Sequence, residues 1–155
     1  AIGEASAYYL FSKIAVQNII NFNPQAKFIV LGKNPLDVAR SWHNHLVHNG
    51  YENITNFEKA FEIDNNKSSL SYKQIMKWEN RVNIVRKIIP KKNLIVFKID
   101  EESMENIYSK TLNFINVKHD GRKYFPIVNK GKSTSYLRMA IFNIKRIYRK
   151  YISKR

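Results

Sequence analysis

The sequence contains no cysteine among its 155 residues. Disulfide bonds, thiolate catalysis and cysteine–zinc sites are therefore excluded as features of this chain. Long apolar runs are missing too, since no stretch approaches the roughly 18–20 apolar residues of a membrane-spanning helix, and no signal-peptide pattern opens the chain. These absences favour a reducing compartment, and we expect a cytoplasmic protein without a transmembrane segment.

Acidic residues are scarce: 12 Asp and Glu stand against 27 Lys and Arg, for a formal charge of +15. A charge of this sign favours polyanionic or phosphorylated partners, such as a nucleotide, a nucleic acid, an anionic lipid or a sulfated glycan. With 44% hydrophobic and 13% aromatic residues, the chain is too apolar for a disordered basic tail and long enough to fold around a core.

Most of the excess charge lies in residues 117–155, which hold twelve Lys and Arg and one acid, Asp120. Within this stretch, residues 133–152 have the apolar spacing of a basic amphipathic helix. Surface lysines also accumulate without a function, so the charge alone does not establish a binding surface. We expect a domain body at 1–132 and a C-terminal helix at 133–155 that packs on it.

Helices alternate with short apolar strands along the chain. The run KFIVL at 27–31 is typical of a strand buried on both faces, and NLIVFKI at 93–99 is a second candidate for a buried strand. The predicted helices span residues 9–20, 34–48, 55–62, 72–88 and 101–115. This order predicts an α/β fold with a parallel sheet flanked by helices. Two strands are few for such a sheet, so we expect an incomplete domain, with a shorter, complete α+β domain as the alternative.

The strand–turn–helix at 27–48 is the sharpest chemical feature of the sequence. Gly32 ends the strand, and Asn34-Pro35 followed by Asp37 combines three signals of a helix start. Free backbone N–H groups and the helix dipole converge at such a turn and favour a phosphate group. Lys33 adds a full positive charge at the same place.

Polar side chains line one face of this predicted helix, because Asp37, Ser41 and His45 are spaced four apart. His43 falls nearer the apolar face, and we interpret it as part of the packing. His43 and His45 cannot face one metal ion, and a Ser–His–Asp triad needs its histidine between the acid and the serine. Spacing alone leaves two alternatives open: an anion-binding helix terminus with a nearby histidine, or a polar surface stripe.

Residues 2–62 carry several motifs in a fixed order. They read G-E-A-S-A-Y-Y-L at 3–10, N-P-Q-A-K-F-I-V-L-G-K-N-P at 23–35 and G-Y-E at 50–52. In this order they resemble the middle of a sulfotransferase domain that uses 3′-phosphoadenosine 5′-phosphosulfate, of the bacterial type and similar to heparan and other glycan sulfotransferases. The resemblance continues more weakly to about residue 130. It implies a P-loop NTPase-like sulfotransferase fold.

The resemblance also implies a donor site. Lys33 and Ser41 match the arginine and the serine that bind the donor's 3′-phosphate, at the same spacing of eight. Lysine keeps the charge but lacks the bidentate fork of arginine. His45 matches a histidine near the transferred group in the heparan N-sulfotransferase branch, where it can neutralise charge or take the acceptor's proton.

A second implied contact with the nucleotide lies at Gly121, Arg122 and Lys123, which resemble the K-G-R loop of glycan sulfotransferases. A basic surface turn is the alternative reading, and Lys130-Gly131-Lys132 is a competing candidate for the same role. By the same resemblance, Glu4 is either an acceptor-side base or, as we prefer, a structural carboxylate.

The implied activity is transfer of a sulfuryl group from 3′-phosphoadenosine 5′-phosphosulfate to a hydroxyl or amine acceptor, such as a glycan or a small molecule, without a metal. In this family a phosphosulfate loop follows the first strand, and the chain has no counterpart of it. We therefore expect a fragment that carries the 3′-phosphate half of the donor site and is inactive alone. The alternative is a non-catalytic nucleic-acid or polyanion-binding module built on residues 133–155, although the sequence contains no recognised nucleic-acid motif and we do not expect nucleic acid as a partner.

Overall fold

A computed structural model describes residues 2–6, 8–64 and 71–126. The described chain divides into two compact units. Of the described residues, the sheet unit comprises 2–6, 8–35 and 76–126, and the helical unit comprises 36–64 and 71–75. The predicted helix at 133–152, the domain boundary at residue 132 and the candidate turn at 130–132 lie outside the described residues and stay predictions.

The described elements follow the chain in the predicted order. They are α1 (Lys13–Phe22), β1 (Phe28–Gly32), α2 (Pro35–His48), α3 (Phe57–Glu62), α4 (Tyr72–Ile75), α5 (Trp78–Val85), β2 (Leu94–Lys98) and α6 (Met104–Phe114). Short 3₁₀ turns at Tyr9–Phe11 and Lys91–Asn93 precede α1 and β2. None of the helices in the described ranges is long and apolar enough to cross a membrane.

The two strands pair in parallel, with Phe28 opposite Leu94 and Gly32 opposite Lys98. Asn93 is buried just before β2, and its side-chain amide donates a hydrogen bond to the carbonyl of Pro24 at 3.1 Å. This bond ties together the segments that enter the two strands. The α/β fold with a parallel sheet flanked by helices is thereby confirmed.

Burial in the sheet unit differs from the prediction. Phe28 of β1 and Leu94 of β2 pack against a buried cluster formed by Val16, Val85 and Ile89. On the other face of β1, Ile29 is 39% and Leu31 is 58% exposed. The prediction that β1 is buried on both faces is therefore wrong for the described chain. Neighbouring side chains of a strand point to opposite faces, and only one face of β1 is well covered.

The helix predicted over residues 72–88 is two helices, α4 and α5. Tyr72 and Ile75 are buried within the helical unit, whereas Trp78 and Val82 are buried within the sheet unit. No proline or glycine lies between Tyr72 and Trp78, so the break leaves no signal in the sequence.

The helical unit begins with α2, which ends as its sequence predicts. Gly50 has a φ of 72°, the left-handed conformation that glycine adopts readily after a helix C-terminus. The N–H of Tyr51 then donates to the carbonyl of Leu46 at 2.9 Å. This pair of features satisfies carbonyls that the last helical turn leaves without partners.

His43 lies in the core of the helical unit, with 2% of its surface exposed. Its Nε2 is 2.9 Å from the carbonyl oxygen of Ile54, so this nitrogen carries the proton and donates. The rings of Phe57 and Tyr72 meet the imidazole edge to face at 5.6 and 5.7 Å. The interpretation of His43 as part of the packing is confirmed.

Candidate functional site

The turn between β1 and α2 contains Lys33, whose side chain is partly exposed. The indole Nε1–H of Trp78 donates to the carbonyl oxygen of Lys33 at 3.0 Å. The next N–H, that of Asn34, donates to Oδ2 of Asp100 at 2.7 Å. This N–H is therefore already bound by a carboxylate. An anion at this turn would have to rely on side chains more than the sequence suggested.

Gly32 is required by the packing of Trp78 at this turn. A Cβ atom on Gly32 would lie 2.1 Å from Cη2 of the Trp78 ring, which is far inside van der Waals contact. Trp78 itself is 4% exposed. The glycine thus lets the indole approach the backbone that leads into Lys33.

The polar face predicted for α2 is present. Asp37, Ser41 and His45 are all exposed, as expected for residues spaced four apart on one side of a helix. The side chains of Ser41 and His45 are accordingly accessible to a bound molecule.

The ring of His45 contacts Trp42, on the same helix, and Asn49, directly after the helix ends. It stacks on Trp42, with ring centroids 5.3 Å apart and an interplanar angle of 13°. The amide nitrogen of Asn49 donates to the carbonyl of His45 at 2.8 Å and lies 3.3 Å from each ring nitrogen. These contacts orient the imidazole while leaving it accessible to solvent.

The loop that carries Gly121 is held by its own side chains. Gly121 has a φ of 79°, and its N–H donates to Nδ1 of His119 at 2.8 Å. The N–H of Arg122 donates to Oδ1 of Asp120 at 3.0 Å. The other carboxylate oxygen, Oδ2, accepts from the hydroxyl of Tyr108 at 3.0 Å and lies 3.6 Å from Nε of Arg122.

Asp120 is therefore the centre of this loop. The backbone N–H of Arg122 lowers the pKa of the Asp120 carboxyl, with help from the Tyr108 hydroxyl and the Arg122 charge. The guanidinium of Arg122 also lies 5.5 Å from the centre of the Tyr108 ring. The carboxylate thus stays ionised, holds the backbone of Arg122 and lies beside its guanidinium. Lys123 is exposed next to it.

The sheet unit contains Lys33 together with Gly121, Arg122 and Lys123, and the helical unit contains Ser41 and His45. The sequence does not predict the residues that hold the backbone of the turn at Lys33. Trp78 and Asp100 lie 45 and 66 residues from their partners in the turn, and such contacts leave no local pattern. The one available signal is Gly32, because a glycine at the end of a buried strand often marks a close approach.

Glu4, in the motif at 3–10, and Glu52, in the motif at 50–52, both accept hydrogen bonds from other residues of the chain. The Tyr9 hydroxyl donates to Glu4, and this bond raises the pKa of the Tyr9 hydroxyl. Glu52 accepts from the N–H of Ile54 at 2.8 Å and from the hydroxyl of Tyr72 at 3.0 Å. The Tyr9 bond supports the interpretation of Glu4 as a structural carboxylate. Across the described part of the chain, no group of three or more His, Asp or Glu side chains is arranged to hold a metal ion.

Comparison with solved structures finds a similar protein, a sulfotransferase from Alicyclobacillus acidocaldarius. The TM-score is 0.68 at 22% sequence identity, and the match covers 81% of this chain and 56% of the other. No protein-family model matches the sequence, and a search of curated proteins finds no match. The chain therefore has the fold of that sulfotransferase and spans little more than half of its length.

Proposed function

We propose that this chain is part of a sulfotransferase that transfers a sulfuryl group from 3′-phosphoadenosine 5′-phosphosulfate to a hydroxyl or amine acceptor. The observation that carries the proposal is the fold likeness, combined with the place of Lys33 directly between β1 and α2. The sequence resemblance assigns the donor's 3′-phosphate to this same junction. Fold and motif thus support one reaction class independently.

Lys33 and Ser41 are the proposed ligands of the 3′-phosphate. The residues fit such a group, since a partly exposed ammonium and an exposed hydroxyl are chemically suited to a phosphate dianion. Gly121, Arg122 and Lys123 are the proposed contacts to the rest of the nucleotide. Arg122 would present its guanidinium from a backbone that Asp120 holds.

His45 is the proposed residue at the transfer step. When bound, the donor supplies an activated sulfuryl group. The acceptor's oxygen or nitrogen forms a bond to sulfur while the bond from sulfur to the 5′-phosphate oxygen breaks. His45 either takes the proton that the acceptor releases or balances the negative charge on the sulfuryl oxygens. The accessible, stacked ring of His45 suits both roles.

Calorimetry with 3′-phosphoadenosine 5′-phosphate tests the proposal on the 155-residue chain. We expect binding that weakens about tenfold or more in Ser41→Ala, because one charge-assisted hydrogen bond to the phosphate is lost. Lys92→Ala is the control for charge, since Lys92 is an exposed lysine of the sheet unit outside the proposed site. If Lys92→Ala weakens binding while Ser41→Ala, which removes no charge, leaves it unchanged, the charge of the chain and not a site attracts the nucleotide.

A further inference from the structure

The peptide group that joins Lys33 to Asn34 is held at both of its polar ends. Its carbonyl oxygen accepts from the Trp78 indole at 3.0 Å, and its N–H donates to the Asp100 carboxylate at 2.7 Å. A peptide group is planar and rigid. Two bonds at opposite ends of the plane therefore fix its orientation, and with it the backbone from which the Lys33 side chain projects.

Trp78 and Asp100, whose side chains bind this peptide group, are each positioned by further contacts. Trp78 is buried, and its ring lies so close to Gly32 that no side chain fits between them. On the other strand, the N–H of Ile99 donates to the carbonyl of Gly32 at 2.8 Å, which extends the parallel pairing past β2. This additional hydrogen bond places Asp100, the next residue, beside the N–H of Asn34.

We infer that Trp78 and Asp100 are positioning residues that hold Lys33 in the orientation needed to bind an anionic ligand. The inference rests on the proposed function, because it takes Lys33 as a ligand of the 3′-phosphate. Lysine has a long, flexible side chain that loses rotamer entropy on binding. A fixed backbone at Lys33 reduces the number of side-chain conformations that are lost when the ligand binds.

The experiment compares two nucleotides that differ only in the 3′-phosphate: 3′-phosphoadenosine 5′-phosphate and adenosine 5′-phosphate. The ratio of their dissociation constants measures what the 3′-phosphate contributes. Partial unfolding weakens both nucleotides equally and leaves the ratio unchanged. The ratio therefore separates a positioning role from a merely structural one.

Trp78→Phe keeps an aromatic side chain at this position and removes the indole N–H that donates to the Lys33 carbonyl. We expect the 3′-phosphate preference to fall about threefold to tenfold, the usual effect of losing one hydrogen bond. Asp100→Asn and Asp100→Ala form a second pair that does not depend on Trp78. Both remove the negative charge, but asparagine keeps an oxygen that can accept from the Asn34 N–H. We expect a preference about threefold greater in Asp100→Asn than in Asp100→Ala.

Lys33→Ala separates the possible failures. If Lys33→Ala removes the preference while Trp78→Phe and both Asp100 variants keep the wild-type ratio, the positioning inference is overturned and the proposed function stands. If the wild-type chain has no preference, or Lys33→Ala retains it, the proposed phosphate site and this inference are both overturned. Should Trp78→Phe fail to fold, the two Asp100 variants decide the matter alone.

Discussion

The hydroxyl of Tyr108 donates a hydrogen bond to Oδ2 of Asp120 at 3.0 Å, and Oδ1 of the same carboxylate accepts from the N–H of Arg122. Through this carboxylate, a tyrosine on α6 fixes the loop that the resemblance assigns to the donor nucleotide. Hydrogen bonds within the chain thus arrange the basic part of this loop. Such preorganisation reduces the entropy lost on binding.

Replacing Tyr108 by phenylalanine tests this arrangement. The ring remains, but Asp120 loses one of its hydrogen bonds, so the loop should sample more conformations. We expect affinity for 3′-phosphoadenosine 5′-phosphate to fall about threefold, measured by calorimetry. Tyr124→Phe is the control, because Tyr124 is 79% exposed in the same loop region. If Arg122→Ala weakens binding while Tyr108→Phe has no effect, the tyrosine does not organise the loop for binding.

Gly32→Ala should destabilise the sheet unit. The added methyl would overlap the Trp78 ring at 2.1 Å, and relieving such overpacking costs about 1–3 kcal/mol. Urea unfolding followed by tryptophan fluorescence measures the effect. Gly3→Ala is the matched control, since a Cβ on Gly3 meets nothing within 4 Å. Equal unfolding midpoints for the two variants would contradict the close packing of Trp78 on β1.

The elements of the fold and the contacts of the candidate site differ in how far the sequence predicts them. The start of α2 at Pro35 and its end before Gly50 depend on residues inside or next to the helix, so local signals sufficed. The break before Trp78 depends on burial of the indole against Gly32, and the anchoring of Lys33 depends on Asp100. These partners are distant in sequence, so no local pattern predicts their meeting.

The helical unit should lose stability at alkaline pH through Tyr72. Burial raises the pKa of the Tyr72 hydroxyl above its ordinary value of 10.0, and the hydrogen bond to Glu52 adds to the effect. The unfolded chain releases this proton at pH ~10, whereas the folded chain keeps it to a higher pH. The stability that the protonated Tyr72 hydroxyl contributes is therefore complete below that pH and is lost as the pH rises toward the folded-state pKa.

Unfolding free energies measured from about pH 8 to about pH 11 test this coupling. We expect the wild type to lose more stability over this range than Tyr72→Phe, which has no hydroxyl to ionise. Tyr124→Phe controls for an exposed tyrosine and should follow the wild type. Parallel curves for the wild type and Tyr72→Phe would mean that the Tyr72 hydroxyl ionises alike in both states.

His45→Ala should separate transfer from donor binding. We assign His45 to the sulfuryl group and the acceptor, and neither is present in 3′-phosphoadenosine 5′-phosphate. The affinity of His45→Ala for this nucleotide should therefore stay within about twofold of the wild type, whereas Ser41→Ala should bind it more weakly. A loss as large as that of Ser41→Ala would move His45 from the transfer step to the nucleotide site.

The most direct test of the account concerns Lys33 and the 3′-phosphate. The measurement is the ratio of dissociation constants for adenosine 5′-phosphate and 3′-phosphoadenosine 5′-phosphate in the wild type, Lys33→Ala and Lys33→Arg. We predict a wild-type preference of about tenfold or more for the 3′-phosphorylated nucleotide, which Lys33→Ala removes and Lys33→Arg, with its bidentate fork, keeps or increases. Equal affinity of the wild-type chain for the two nucleotides, or a preference that Lys33→Ala leaves unchanged, would contradict the account.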